Sequence, residues 1–167
     1  KCPNRSECYT AKRATFLALG TICTRHCRFC HIANTKKPLS PDKFEPAKIA
    51  RAAKQLQLNH IVITMVTRDD LPDQGAGHIA QILYQLRQEI STQATLEVLT
   101  SDFSGNFAFL QKVLDAQPNI FNHNLETVRK LSPQLRDKAS YERSLSVLAY
   151  AKAQGFIIKS GLMLGLG

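Results

Sequence analysis

The chain has 167 residues, 44% of them hydrophobic and 21% charged, with a formal net charge of +9. Length and composition predict one soluble globular domain. No apolar run approaches the roughly 18 residues of a membrane span, and Lys1-Cys2-Pro3 does not open a signal peptide.

Residues 1–13 read as a polar arm, with Pro3, Asn4, Ser6 and Lys12-Arg13, yet the arm carries Cys2 and Cys8. A first strand is predicted over 16–19, ending at Gly20 before a polar, cysteine-rich loop. Residues 36–44, with Pro38 and Pro41, form a connection. Pro46 then suits a helix's first turn, and Ile49, Ala53 and Leu56 make its apolar face. The β-branched run 60–66 predicts a buried parallel strand. Ile79, Leu83, Leu86 and Ile90 mark the next helix, 95–99 the third strand, and Phe107, Leu110 and Val113 the following helix. A fourth strand over 119–122 and a short helix over 125–131 come next. Ser140 then N-caps a helix that carries Leu145 and Leu148 and stops at Gly155. Residues 156–164 form the fifth strand. Five such alternations predict an α/β fold with a parallel sheet.

Scattered basic residues, with Lys36-Lys37 the only adjacent lysines, argue against nucleic acid as a partner. A solvated basic surface or an acidic protein partner explains the charge better. Five cysteines cannot all pair, and their clustering suits metal ligation in a reducing compartment.

The chemistry centres on Cys23-Thr24-Arg25-His26-Cys27-Arg28-Phe29-Cys30, a C-x3-C-x2-C spacing directly after a strand. Three thiolates from one loop can hold three irons of a four-iron cubane and leave the fourth open for chemistry. The interleaved Arg25, His26 and Arg28 favour thiolates and offset the cluster's negative charge. Zinc and inert thiols are the alternatives at this point, although no second C-x2-C pair follows. Polar clusters fall at predicted strand ends, where barrel-like α/β folds bind ligands. Thr67-Arg68-Asp69-Asp70 follows the second strand and reads equally well as a helix-entry loop with capping acids. Asn122-His123-Asn124 and Glu126 follow the fourth, where amides and a carboxylate suit hydroxyl groups and His123 reads as a core histidine. Gly161-x-Met163-x-Gly165 ends the fifth, its glycines permitting close backbone approach.

The cysteine spacing, with Phe29 before the last cysteine, resembles the radical S-adenosylmethionine (SAM) superfamily. The full wording of that loop resembles the lipoyl synthase family within it. So do Cys2-Pro3-Asn4, Glu7-Cys8, Ala14-Thr15-Phe16, Thr67 to Leu71, Phe121 to Glu126, and Lys159 to Gly167. The resemblance implies a partial (β/α) barrel of the radical SAM type over 14–167, ending after the fifth strand, with 1–13 as an N-terminal arm. It implies two 4Fe–4S clusters: one on Cys23, Cys27 and Cys30 with SAM on its open iron, and an auxiliary one on Cys2, Cys8 and a cysteine ahead of Lys1. Phe29, Asp69, Asn124, Glu126, Gly161, Met163 and Gly165 are implied SAM-site residues. The implied reaction is sulfur insertion at C6 and C8 of an octanoyl chain on a carrier domain's lysine, with a reducing electron donor as second partner. The implied compartment is the cytoplasm in a bacterium and the mitochondrion or plastid in a eukaryote. A first residue other than Met and an end inside a Gly-rich run suggest a fragment lacking a sixth strand and the family's C-terminal serine ligand. Lys12-Arg13, His31, Ser101 and Ser104 depart from the family's wording and touch no cluster ligand. The rival functions are another radical SAM chemistry and a non-enzymatic metal module.

Overall fold

A computed structural model describes residues 3–166. The arm contains a short helix, α1 (Arg5–Thr10), with no buried residue. Five strands then form one sheet: β1 (Arg13–Ala18), β4 (His60–Met65), β5 (Thr95–Leu99), β6 (Ile120–Asn122) and β7 (Ile157–Lys159). Their spatial order is β1-β4-β5-β6-β7 and every pairing is parallel. Between consecutive strands run α2 (Glu45–Gln55), α3 (Ala76–Glu89), α4 (Phe107–Asp115) and α6 (Tyr141–Ala153). The predicted partial β/α barrel architecture is therefore present.

Side chains alternate across a strand, so each strand has one face toward the helices and one toward the concave side. Toward the helices point Ile61, Ile63, Leu96, Val98 and Phe121, all with no exposed surface. They pack on the helical stripes Ile79, Ile82, Leu83 and Leu86 of α3, Leu110, Val113 and Leu114 of α4, and Val147 and Ala151 of α6. Each such side chain removed from water contributes about 1.5–3 kcal/mol, which makes this layer the main stabilising element. The concave side is mixed. Leu17, Thr64 and Leu99 lie near its upper end, and Glu97 lies one inward-facing position below Leu99. Glu97 is buried and accepts hydrogen bonds from three strands: His60 Nε2 at 3.2 Å, Asn122 Nδ2 at 2.9 Å and Lys159 Nζ at 2.8 Å. Burial pushes its carboxyl up, but the bonds from Lys159, Asn122 and His60 more than offset that and hold it below the ordinary value. Lys159 thus ties the edge strand to the centre of the sheet.

Capping followed the sequence closely. Pro46 lies in the first turn of α2, the Ser140 hydroxyl accepts the Arg143 N–H at 3.1 Å, and Gly155 takes a left-handed φ of 88° after α6. Four expectations are corrected. The first strand starts three residues early at Arg13 and ends at Ala18, because Leu19 adopts φ 68°. The fifth strand stops at Lys159, although its apolar sequence continues to Leu164. The helix predicted over 125–131 does not form. Glu126 is left-handed there (φ 65°), and a single turn, α5 (Ser132–Leu135), starts only at Ser132, with Pro133 in its first turn. Finally, a two-residue pair unseen in the sequence, β2 (Ile22–Cys23) with β3 (Ala33–Asn34), closes the cysteine loop at its base. Cys2 and Gly167 lie outside the described residues. No helix among the described residues is long and apolar enough to cross a membrane.

Candidate active site

The carboxyl ends of the strands surround a cavity of about 390 Å³. Leu17, Thr64 to Thr67, Leu99 to Asp102, and His123, Asn124 and Glu126 line it from β1, β4, β5 and β6. The cysteine loop contributes Cys23, Arg25, Cys27, Phe29, Cys30 and Ile32, and Arg136 and Ala139 arrive from the segment between α5 and α6. Loop residues with no common strand thus converge because parallel strands all deliver their C-terminal loops to one end.

The cysteine loop is pinned on several sides. Its Thr24 donates from both N–H and hydroxyl to the Thr67 carbonyl, at 2.9 and 3.0 Å. The Thr24 hydroxyl accepts the Asp69 N–H at 3.0 Å. The His26 N–H donates to Asp137 at 2.9 Å and the Arg28 N–H to the Leu135 carbonyl at 2.9 Å. The Arg25 N–H points at Cys23 Sγ, 3.4 Å away, as a donor that suits a thiolate.

Arg25 is the strongest of these anchors. It is 6% exposed, and its guanidinium pairs with Asp69 at 2.8 Å and with Asp102 at 2.8 Å. Arg143 of α6 reaches the other Asp102 oxygen at 3.2 Å. Burial would lower the Arg25 pKa, but the bond to Asp69 and the charges of Asp102 and Asp69 raise it well above the ordinary value. The Asp102 carboxyl is pushed up by burial, yet Arg25 and the Ser104 N–H hold it below the usual range. Arg25 therefore clamps the loop to the ends of β4 and β5. Its charge is spent on two carboxylates rather than on the thiol groups.

Cys23 and Cys27 are half-buried, Cys30 is exposed, and all three are free thiols. As three soft thiols on one cavity wall they are donors that suit a thiophilic metal group. Burial pushes the Cys27 thiol up, opposed by the Asp137 N–H and the Arg136 charge.

Across the cavity, Asn124 and Glu126 face the loop. The Glu126 turn is stitched to the chain beyond β7: its N–H donates to the Gly161 carbonyl at 3.0 Å, and its carbonyl accepts the Met163 N–H at 2.8 Å. A Cβ on Gly161 would meet Asn124 Oδ1 at 2.8 Å. What comes close to this glycine is thus the Asn124 amide. Burial raises the Glu126 carboxyl pKa, against the opposing effects of Asn124 and Arg136. His123 uses both ring nitrogens inside the protein, against the Thr100 carbonyl and the Ser144 hydroxyl at 2.9 Å each, and burial lowers its pKa to about 4. It is the satisfied core histidine that its position in the sequence suggested.

Of the residues singled out in the sequence, Cys23, Cys27, Cys30, Phe29, Asn124 and Glu126 come together in the cavity. Asp69 stands behind Arg25, and Gly161, Met163 and Gly165 do not line the cavity, Gly165 being a left-handed turn (φ 84°). Cys8 lies in α1, away from the cavity wall. Two residues passed unnoticed. Arg136 is 9% exposed and donates to the Ser144 hydroxyl at 2.8 Å, with no carboxylate in ion-pair contact among the described residues. Thr100 carries a buried hydroxyl without a partner. Neither belongs to a spacing pattern, so the sequence held no signal for them.

The sequence profile of the radical SAM superfamily matches residues 17–167. Curated relatives named lipoyl synthase are 53% identical over 99% of the chain in Chlamydia felis and 51% identical over 100% in Protochlamydia amoebophila. The chain covers 54% and 53% of those two proteins, so it spans about half the length of the curated relatives it matches. Among solved structures, methylornithine synthase (PylB) superposes with a TM-score of 0.71 at 17% identity, over 97% of this chain and 50% of that one. The hydrogenase maturase HydG gives 0.74 at 12% identity, over 97% and 40%. These distant structures share the fold. Because the profile runs from the end of β1 through every later strand, and not over the cysteine loop alone, the chain belongs to the radical SAM superfamily, whose members work with a 4Fe–4S cluster and SAM.

Proposed function

We propose that this chain carries the radical SAM core of a lipoyl synthase. Cys23, Cys27 and Cys30 would hold the 4Fe–4S cluster that works with SAM. Asn124 and Glu126 bind the ribose side of SAM, since a carboxylate and an amide suit vicinal hydroxyls. Arg136 supplies the counter-charge for SAM's carboxylate: it is a buried cation at the cavity with no acid of its own in contact among the described residues. Phe29 and Ile32 give the loop side an apolar surface that excludes water. Arg25 holds the loop in register with β4 and β5. Asp69 acts through Arg25, and Gly161 and Met163 act by holding Asn124 and Glu126, while Gly165 turns the chain behind them. Residues 1–13 form the arm, where Cys2 and Cys8 ligate the auxiliary cluster, and 14–167 form the core.

When bound, the clusters and SAM would supply the radical chemistry and the sulfur needed to convert a protein-bound octanoyl chain, at C6 and C8, into the lipoyl group. The substrate is an octanoyl-lysine on a carrier domain, and a reducing donor provides electrons. The named relatives are bacterial, which supports a cytoplasmic setting.

The observation that carries this reading is the meeting of three thiols from one loop with Asn124, Glu126 and Arg136 across a single cavity. The test is anaerobic reconstitution of the full-length protein with iron and sulfide analysis, SAM cleavage and lipoyl product assays. Cys27→Ala should lose SAM cleavage, and Cys8→Ala should keep it while losing lipoyl product. Loss of both activities in Cys8→Ala, through loss of the first cluster, would refute the separation of roles.

A further inference from the structure

The chain leaves β1 and enters the cysteine loop through two successive left-handed residues, Leu19 (φ 68°) and Gly20 (φ 87°). For a bulky residue such as Leu this backbone conformation is strained, and it persists only where the surroundings fix it. Leu19 is buried and held at each of its groups. Its carbonyl accepts a bond from Arg68 Nη1 at 3.3 Å, and a Cβ on Gly75 would collide with its side chain. Its N–H donates to Glu45 Oε2 at 2.8 Å. The same carboxylate oxygen accepts the His78 Nε2–H at 2.7 Å. Glu45 is the first residue of α2, where a helix favours negative charge, and His78 lies in the first turn of α3. The two side chains are 17% and 14% exposed, and neither lines the cavity. Burial pushes the Glu45 carboxyl up, but His78 and the N–H groups of Leu19 and Gly20 hold it below the ordinary value.

We propose that Glu45, braced by His78, is a positioning residue for the cysteine loop: it fixes the left-handed Leu19, and so the direction in which Cys23 is presented to Asn124 and Glu126. The proposal rests on the cluster and SAM site assigned above. The bonds made by Thr24, Arg25, His26 and Arg28 hold the loop beyond Cys23. None of them holds its entry. A carboxylate suits the entry because one of its oxygens can serve two donors at once, one from the strained residue and one from a neighbouring helix. α2 and α3 are packed on the core, so the oxygen is a fixed point against which the loop is aimed. Without it the buried Leu19 N–H has no acceptor, and the backbone there relaxes toward a commoner φ. The base of the loop then turns, and a misplacement of about 1 Å far from the chemistry is enough to weaken a site that depends on alignment. Because Glu45 touches neither the cavity nor a cysteine, it acts only through Leu19.

The test uses the full-length reconstituted protein, with SAM titration, iron analysis and hydrogen exchange as readouts. Glu45→Leu should keep its iron, because the three cysteines stay on one loop, and weaken SAM binding about ten- to a hundredfold. Glu45→Gln keeps an oxygen for both donors and should return SAM affinity to within about threefold of the unsubstituted protein. Amide exchange should quicken over residues 19–30 in Glu45→Leu and not over β4 and β5. His78→Leu leaves the Leu19 bond and removes its brace. It should move both readouts the same way by a smaller amount, and it decides the question where Glu45→Leu does not fold. SAM affinity unchanged by Glu45→Leu overturns the proposal, as does failure of Glu45→Gln to restore it. An even rise in exchange across the sheet also overturns it, because Glu45 then supports the fold as a whole. An unsubstituted protein that takes up no iron or binds no SAM overturns the cofactor reading, and the exchange over residues 19–30 separately shows whether Glu45 fixes the loop.

Discussion

Replacing Arg25 by Met keeps most of the side-chain volume and removes the charge that joins Asp69 to Asp102. The Asp102 side chain has no exposed surface, and its remaining cation, Arg143, is one-third exposed at 3.2 Å. Asp69 would be left with Lys138 at 4.0 Å. Removing one partner of a buried pair leaves an uncompensated charge and costs about 3–5 kcal/mol. Against a typical domain stability of about 5–15 kcal/mol, that is a large fraction. Urea unfolding of the full-length apoprotein should show the midpoint falling with little change in slope. Adding Asp102→Asn should recover part of the loss, since the neutral amide no longer needs the guanidinium, and the double-mutant cycle should give a coupling above about 1 kcal/mol. The same substitution frees the cysteine loop from β4 and β5, so iron retained after reconstitution should fall. A loss below about 1 kcal/mol with unchanged iron would refute the clamp, because it would mean that Arg25 is solvated in solution.

Glu126→Gln should weaken SAM binding by about 1.5–3 kcal/mol, roughly ten- to a hundredfold in Kd, with the cluster intact; unchanged affinity by titration removes Glu126 from the site. Gly161→Ala should change stability by less than about 1 kcal/mol, because the clash is with the movable end of Asn124, yet weaken SAM binding by displacing that amide. Equal SAM affinity would show that Asn124 has no role in binding. His123 has an ordinary pKa near 6.5 when unfolded and about 4 when folded, so between those values the unfolded chain binds the extra proton. Stability therefore rises with pH across that window, and acidification from pH 6.5 to 4 costs up to about 3 kcal/mol. His123→Gln should show a shallower pH dependence of its urea midpoint over that range, and parallel curves for the two proteins would contradict the assignment.

The sequence by itself determined the sheet and the cysteine loop. Short β-branched runs alternating with 3.6-residue apolar stripes leave few options other than parallel strands covered by helices, and thiol spacing is a local property. The ends of Pro- and Gly-bounded elements were legible for the same reason, as at Pro46, Ser140 and Gly155. The segment over 125–131 misled because its apolar spacing suits a helix, while the tertiary bridge from Glu126 to Leu162 holds the backbone left-handed. Only the folded structure decided which polar groups face the cavity. Arg25, Asp69 and Asp102 are up to 77 positions apart and carry ordinary sequence contexts; burial and parallel strand order turn them into one clamp. Arg136 and Thr100 likewise acquire their meaning from desolvation beside a cavity, a property that depends on what surrounds a side chain and not on its neighbours along the chain.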